Sequence, residues 1–479
     1  SLSLSLFCVL VVGEGGAGGF AMPGEPRSRV TILAKSTSVS STPVRPGKRY
    51  PLSPLDHAMA RHALHLVFYY PAPTAAAAAM SRDRLRASLS EVLTHYPAVT
   101  GRLTRPAEDG GNWVVRCNDA GVRVLDARVG CSLEEWLRSA APASERELAQ
   151  WEPMGDDPFI WSPFCIQMSE FECGGLAIGL SCTHMYADPT CATLLVKAWG
   201  DAHRRACIAN PPFFHPPGLR ARPQPNLSTP SSAFLLSKSS SSSTSPTSPA
   251  AAAMSTATFR FSDQAVRSCL AELHPSCPDA TPFDALASLF WWRSGGTAGP
   301  LTLCIDFRKL MHAPLPHGYF GNALHFSTVA APGGEWGAAA EALRAHVAGL
   351  AEEEFWSAVD WVESRRDAAT GAFAGAFQMY GPELTCASFE HLFSYGAGFG
   401  KEAAAGEGGG GGGRPAHVAC HVGGAEGKGL ILVLPGPPEE AGAMGRTVMV
   451  TLPEDKAEMI RNDEVILKLG PTLLFNSSA

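Results

Sequence analysis

A histidine and an aspartate four residues apart are the side chains of this sequence best suited to acid–base chemistry. They are His184 and Asp188, in the segment S-C-T-H-M-Y-A-D at 181–188. Histidine titrates near neutral pH, so His184 could accept a proton from a hydroxyl or an amine. A histidine and an aspartate at this spacing also arise by chance, and they can serve as core or helix-capping residues. The pair alone therefore does not identify a function.

Three other patterns suggest different chemistry. Cys182 and Cys191 flank the histidine, but no sequence feature would stabilise a thiolate there, so we interpret both as small buried side chains. Ser181 lacks the G-x-S-x-G turn of serine hydrolases. The segment H-V-A-C-H at 417–421 could hold a soft metal, but it has the pattern of a strand, which would turn Cys420 away from the two histidines. We expect no metal site and no covalent nucleophile at these positions.

The elements around His184 are a strand before it and a helix after it. Two apolar-rich runs at 164–171 and 176–181 are joined by Cys173-Gly174-Gly175, which predicts a β-hairpin. A helix is predicted at 190–204. This arrangement places His184 at the end of a buried strand, where α/β proteins expose reactive side chains.

The remaining pattern alternates helices and strands. Apolar spacing of three and four residues predicts helices at 56–65, 83–96 and 281–293, and strand-like runs lie at 113–115, 122–125 and 257–261. This alternation indicates an α/β protein.

Composition limits the class of protein. The chain has 479 residues, enough for two or three domains, and its 45% hydrophobic and 17% charged residues are typical of a folded globular protein. A net charge of −7 provides no basic field for nucleic acid. The 13 cysteines are odd in number and scattered, which favours a reducing compartment over a disulfide framework.

Low-complexity segments divide the chain. Residues 1–49 are interpreted as a leader and flexible N-terminus: the first methionine is Met22, so 1–21 are expected to precede the native start. The apolar run at 1–12 is too short to span a bilayer. A first domain is predicted at 50–210, a Pro/Ser-rich crossover linker at 211–254, and a second domain at 255–479 with a glycine-rich insertion at 403–413.

Five short motifs in a fixed order resemble the plant BAHD acyl-CoA acyltransferases. They are L-S-P-L-D at 52–56, Y-P-A-V-T-G-R-L at 96–103, C-N-D-A-G-V at 117–122, H-M-Y-A-D at 184–188 and G-Y-F-G-N-A at 318–323. The resemblance covers roughly residues 50–465. It implies a two-domain α/β fold like that of chloramphenicol acetyltransferase, with a crossover loop and a channel between the domains.

The resemblance also implies roles for individual residues. His184 would lie in the channel, open to both faces, and act as general base on the acceptor, which then attacks the thioester of acyl-CoA without an acyl-enzyme. Asp188 would be structural and would pair with Arg308. Acyl-CoA would be a cosubstrate, with no bound cofactor and no metal.

One family signature is degraded in this chain. The family has D-F-G-W-G after a tyrosine, whereas this chain has Gly398, Phe399 and Gly400 followed by Lys401, so the aspartate and the tryptophan are missing. This combination is most similar to the eceriferum-like (glossy-like) branch of cuticular wax formation. The resemblance implies that such proteins work with the condensing enzyme of the fatty-acid elongase at the endoplasmic reticulum and extend the chain lengths it makes.

Two functions remain open at this point. The first is an acyltransferase, transferring groups other than aminoacyl groups, that acts in very-long-chain fatty acid elongation and wax formation. The second is a non-catalytic partner of the elongase condensing enzyme that sets product chain length. Either would be a cytoplasmic monomer without a membrane-spanning segment, held at the cytosolic face of the endoplasmic reticulum through a partner or a surface patch. No motif indicates the substrate-binding residues, the acyl donor or the acceptor.

Overall fold

The computed structural model describes residues 28–45, 47–72, 80–214, 219–241, 253–308, 310–311, 315–316, 318–400, 413–438 and 444–476. The predicted leader up to residue 27 and positions 403–412 of the glycine-rich insertion lie outside the described residues.

The described residues form strands and helices that alternate along the chain. The strands are β1 Val30–Ser38, β2 Arg49–Pro51, β3 Ala63–Tyr70, β4 Arg102–Thr104, β5 Val114–Arg116, β6 Val122–Val129, β7 Phe164–Phe171, β8 Leu176–Thr183, β9 Met254–Phe261, β10 Leu301–Asp306, β11 Leu324–Val329, β12 Thr385–Ser388, β13 His417–Gly423, β14 Leu430–Pro435, β15 Arg446–Pro453 and β16 Thr472–Leu474. The helices are α1 Pro54–Ala58, α2 Arg82–Leu93, α3 Leu133–Ser139, α4 Pro189–His203, α5 Pro230–Ser241, α6 Asp263–Leu273, α7 Pro282–Arg293, α8 Trp336–Gly349, α9 Glu352–Ser364, α10 Glu454–Arg461 and α11 Glu464–Lys468.

The first sheet carries the predicted hairpin. Its strand order is β1-β6-β7-β8-β3-β13, and β7 and β8 are antiparallel neighbours, as predicted. All eight residues of β8 are buried. Helices α2 and α4 cover this sheet and are tied together by Trp199, whose indole N–H donates to the carbonyl of Leu85 at 3.1 Å. The strand that leads to His184 therefore runs through the centre of a core.

The second sheet has the order β11-β10-β12-β14-β15-β9-β16. Helices α6, α7 and α8 pack beside it around a second core that includes Phe290 and Trp291. Helix α7 begins where the sequence predicts, with a capping box. The side chain of Thr281 accepts the backbone N–H of Asp284, and the side chain of Asp284 accepts the backbone N–H of Thr281. A third, small sheet is formed by β2, β5 and β4.

The second half of the chain also contributes to the first sheet. Strand β13 pairs antiparallel with β3, with His421 opposite His65 and His417 opposite Tyr69. Residues 255–479 therefore do not form one self-contained layer, a feature that local sequence patterns did not predict.

Three sequence predictions need correction. The segment at 1–49, predicted to be a leader and flexible N-terminus, contains strand β1, which pairs antiparallel with β6 in the first sheet. The helix predicted at 56–65 ends at Ala58, and strand β3 begins at Ala63, because hydrogen bonding to β8 and β13 outweighs the local helical spacing. Part of the predicted linker at 211–254 is the helix α5, whose Phe234 and Leu235 are buried and whose Lys238 pairs with Glu383 at 2.6 Å. Within the described residues, no helix has the length and apolar character needed to cross a bilayer.

Candidate functional site

His184 follows the last residue of β8 and is held by its backbone from both halves of the chain. Its N–H donates to the carbonyl of His62 at 2.9 Å, and its carbonyl accepts from the side-chain amide of Asn322 at 2.8 Å. Asn322 belongs to the second half and precedes β11. The position of the His184 backbone thus depends on contact between the two sheets.

Asn322 is in turn fixed by a buried carboxylate. Both its backbone N–H and its side-chain amide donate to Asp56 Oδ1 at 2.8 Å, and Ser53 donates to the other carboxylate oxygen from its N–H and its hydroxyl. Burial raises the pKa of Asp56, although these hydrogen bonds oppose that shift. Two of the motifs that carry the family resemblance, L-S-P-L-D and G-Y-F-G-N-A, therefore meet at the backbone of His184.

The side chain of His184 is closed off from solvent. It is 0% exposed, and its Nε2 atom lies 3.1 Å from the hydroxyl of Tyr380, while Nδ1 has no hydrogen-bond partner among the described residues. The expectation that His184 is open to a channel from both faces is therefore wrong for this structure. The physical reason is that the ring of Tyr380 covers the nitrogen that would face an acceptor.

Two histidines in this region are uncharged at neutral pH. Burial lowers the pKa of His184 to about 4. Burial and the neighbouring His184 lower the pKa of His62 to about 3. His62 has a defined tautomer: its Nε2 accepts the N–H of Met379 at 3.1 Å, so Nδ1 carries the proton and donates to the carbonyl of Gly423, also at 3.1 Å. The site therefore contains two buried, neutral imidazoles.

Asp188 points away from His184 and connects the two halves. Its Oδ1 accepts the N–H of Cys191 at 3.0 Å and caps α4, and its Oδ2 lies 2.8 Å from Arg308 Nη1 and accepts the N–H of Ala323 at 3.1 Å. Arg308, 5% exposed, also contacts Asp306 at 2.5 Å. Burial alone would lower the pKa of Arg308, but the two carboxylates raise it above its usual value. This is the geometry of a buried structural ion pair.

The degraded signature lies far from His184 along helix α4. Phe399 packs edge-on against Tyr70 and Trp199, and a Cβ atom on Gly398 would stand 2.8 Å from Arg204 Nη1, just beyond the end of α4. Asp188 caps the other end of this helix, and at 1.5 Å per residue the two ends are about 24 Å apart. An aspartate at position 398 would therefore contact the C-terminal end of α4 and would not contact the His184 ring.

The alternative sites from the sequence do not form reactive groups. Cys182 and Cys191 are fully buried, and burial raises the pKa of both thiols, which disfavours a thiolate. His421 Nε2 lies 2.8 Å from Glu145 in a buried pair, but no group of His, Cys, Asp and Glu in the described part of the chain could hold a metal ion.

Two pockets lie near the strands that lead to the site, and His184 does not line either of them. One cavity of about 300 Å³ lies between β1, β6 and the 150–162 segment, and is lined by Trp151, Trp161 and Lys35 among others. A narrower pocket of about 20 Å³ lies beside Asn322, and its walls include Met59, Leu324, Phe326 and Met379. The volume of this second pocket is enough for about one water molecule.

The sequence analysis missed Tyr380 and His62. Tyr380 lies 196 positions from His184 in an irregular segment, so no local spacing indicates their contact. The backbone bond from His184 to His62 depends on the register of β3 and β8, which pairs Ala63 with Thr183. Neither residue belongs to a motif that carries the resemblance.

Comparison with known proteins gives one family and one fold. The model of the transferase family matches residues 28–466. Protein ECERIFERUM 26-like of Arabidopsis thaliana is 27% identical over 437 residues, which cover 89% of this chain and 93% of that relative. The hydroxycinnamoyl-CoA:5-hydroxyanthranilate N-hydroxycinnamoyltransferase HHT4 of Avena sativa is 27% identical over 432 residues, which cover 84% of this chain and 93% of that protein. The crystal structure of vinorine synthase superimposes with a TM-score of 0.64 at 19% identity, covering 92% of this chain and 98% of that one, and so shares the two-domain fold.

Proposed function

Because this chain belongs to the transferase family of BAHD acyltransferases, we propose that it transfers an acyl group from acyl-CoA to an alcohol or an amine, with His184 as general base. The observation that carries the proposal is the position of His184. It lies at the end of a central strand, its backbone is held by Asn322 from the other half, and its Nε2 atom already has a hydroxyl as partner at 3.1 Å.

The chemical step needs only groups that this arrangement supplies. The acceptor hydroxyl replaces the hydroxyl of Tyr380 at Nε2, and its proton moves to Nε2 as the oxygen attacks the thioester carbonyl. The C–S bond then breaks, coenzyme A leaves as a thiolate, and the proton on His184 neutralises it. With its pKa lowered to about 4, the ring is neutral at pH 7 and has an unprotonated nitrogen for this proton, although the same shift makes it a weaker base than a free imidazole.

The finer proposal concerns the pathway. We place the protein in very-long-chain fatty acid elongation and cuticular wax formation, at the cytosolic face of the endoplasmic reticulum. The support is the similarity to ECERIFERUM 26-like over most of both chains, together with the absence of the signature aspartate at Gly398.

A second candidate has its own supporting observation. The closed His184 and the altered signature at 398–400 favour a non-catalytic partner of the elongase condensing enzyme, which alters product length through its surface or its pocket. In that case the buried imidazole would be retained for packing, because it is fully enclosed and neutral.

One experiment separates the two candidates. Yeast carrying a plant elongase condensing enzyme would receive the wild-type chain or His184→Gln, and acyl chain lengths would be measured by mass spectrometry. Loss of the chain-length shift in a variant that is present at wild-type level supports a function of His184 in transfer. An equal shift with both chains supports the non-catalytic partner, and no shift with either removes elongation from the proposal.

A matched control keeps this comparison interpretable. His203→Gln changes another buried histidine, on α4, whose Nδ1 contacts the hydroxyl of Ser88 at 2.9 Å. This variant should keep whatever shift the wild type produces. If it loses the shift as His184→Gln does, the effect reports general destabilisation and not the chemistry of His184.

A further inference from the structure

Tyr380 occupies the position at His184 that an acceptor must take. Its hydroxyl lies 3.1 Å from Nε2, and Tyr380 itself is only 1% exposed. Whether the phenol donates to Nε2 or the imidazole N–H donates to the phenol, this nitrogen is engaged. A second hydroxyl cannot approach Nε2 at hydrogen-bond distance while the phenol stays there.

The ring of Tyr380 is held by three aromatic neighbours. It packs edge-on against His62 at 5.0 Å between centroids, edge-on against Phe326 at 5.3 Å, and tilted against His184 at 5.9 Å. The preceding residue is anchored as well, because the N–H of Met379 donates to His62 Nε2 at 3.1 Å. The phenol is therefore placed by its surroundings and is not a side chain that happens to rest on the histidine.

An apolar pocket adjoins this ring. Phe326 and Met379 line it, together with Met59 and Leu324, so the residues that flank Tyr380 also form the pocket wall. Its free volume of about 20 Å³ is too small for an alkyl chain.

One polar atom at this pocket lacks a partner. His325 Nδ1 is buried without a hydrogen bond among the described residues, and the side chain is 1% exposed. Buried polar atoms are almost always satisfied, so an unpartnered one in a pocket wall indicates a place where a ligand's polar group can bind.

We propose that Tyr380 is the gate of the active site: it blocks His184 in the closed arrangement of this structure and moves aside when an aliphatic substrate chain enters the pocket lined by Met59, Leu324, Phe326 and Met379. This inference rests on the proposed acyl transfer and adds its regulation and its substrate class. The pocket walls favour an aliphatic chain once the Tyr380 ring has moved, because they are chiefly aliphatic and carry only two polar groups, Asn322 and His325. Binding should strengthen about fourfold for each methylene that becomes buried.

The gate can be tested without activity, by chemical labelling of the purified full chain. Diethyl pyrocarbonate modifies neutral, accessible imidazoles, and peptide mass spectrometry reports the rate at each histidine. In the wild type, His184 should react at least tenfold more slowly than the exposed His95. In Tyr380→Ala, labelling of His184 should rise at least tenfold.

Two further variants keep the labelling result falsifiable. Tyr380→Phe retains the ring and should fold even if Tyr380→Ala does not, and it should label His184 at a rate between those of the wild type and Tyr380→Ala. Tyr70 lies at the far end of β3, and its buried hydroxyl donates to the carbonyl of Ala397. Tyr70→Phe removes this hydroxyl and should leave the labelling of His184 unchanged. Wild-type His184 that reacts as fast as His95, or folded Tyr380→Ala whose His184 stays unreactive, would overturn the gate.

A second readout separates failure of the gate from failure of the proposed function. Release of coenzyme A from palmitoyl-CoA with a long-chain alcohol should be about fivefold faster in Tyr380→Phe than in the wild type, since one hydrogen bond no longer competes with the acceptor. Adding His184→Gln to this variant should abolish the gain. Accessible His184 in Tyr380→Ala with no release in any variant would support the gate and overturn acyl transfer.

Discussion

Replacing Asp188 by alanine should destabilise the protein by about 4 kcal/mol. The change leaves Arg308 buried beside a single carboxylate, Asp306, and removes the oxygen atoms that accept the N–H groups of Cys191 and Ala323. Breaking a buried ion pair costs about 3–5 kcal/mol, and the lower value applies because Asp306 stays in contact with the guanidinium. Loss of the helix cap adds about 1 kcal/mol.

The assay is equilibrium unfolding in urea, followed by circular dichroism and tryptophan fluorescence. The change in unfolding free energy is the shift in midpoint multiplied by the slope of the transition. Asp188→Asn should cost less than the alanine variant, since its amide oxygen can still cap α4 while the charge is lost. This order of the two variants tests whether both contributions are present.

A second carboxylate on α4 provides the control. Asp201 is also buried, but its partners Lys197 and Arg204 are each 17% exposed and can be hydrated when the carboxylate is removed. Asp201→Ala should therefore cost only about 1 kcal/mol. An Asp188→Ala protein that unfolds at the wild-type midpoint, yet loses acyl transfer, would refute the assignment of Asp188 to structure.

Three further predictions follow from other buried groups of the protein. Stability should be constant from pH 8 to 7 and should fall below about pH 6.5, because the unfolded chain takes up protons there that the folded histidines cannot bind. Each buried histidine with a pKa lowered to about 3 or 4 should lower the unfolding free energy by about 1.4 kcal/mol by pH 5.5. A urea midpoint that stays flat down to pH 5 would contradict this. These histidines are His57, His62, His65, His184, His325 and His417. Asn322→Ala should cost about 2 kcal/mol by urea unfolding, because Asp56 and the carbonyl of His184 lose a buried donor; an unchanged midpoint would show that these bonds contribute nothing. Gly398→Asp should change the unfolding free energy by less than about 1 kcal/mol, because its Cβ meets the flexible end of Arg204. Gly200→Ala should cost about 1–3 kcal/mol, because its Cβ would stand 2.5 Å from a backbone carbonyl. A larger loss of stability in Gly398→Asp than in Gly200→Ala, measured by urea unfolding, would contradict this packing.

Local sequence patterns predicted the elements that carry His184. Strands β7 and β8 follow from two apolar runs joined by a glycine turn, and helix α4 follows from the helix predicted at 190–204. These signals lie within a few residues of each other, so they need no knowledge of the rest of the fold.

Contacts between distant segments were beyond such patterns. The helix predicted at 56–65 became a strand after Ala63 because its hydrogen-bond partners lie in β8 and in β13, more than a hundred residues away. The Ser-rich composition around α5 hid Phe234 and Leu235, which supply its buried face. The cover over His184 comes from Tyr380, and nothing near either residue in the sequence indicates that they meet.

The most direct test of the central claim is the initial rate of coenzyme A release from palmitoyl-CoA with a long-chain alcohol, for the wild type and for His184→Gln at matched folded concentration. We predict a measurable rate for the wild type and a rate about 10²–10⁴-fold lower for the variant, the usual contribution of a general base. Equal rates in the two proteins, or no release by the wild type above the buffer rate, would contradict the assignment of His184 as the base of an acyltransferase.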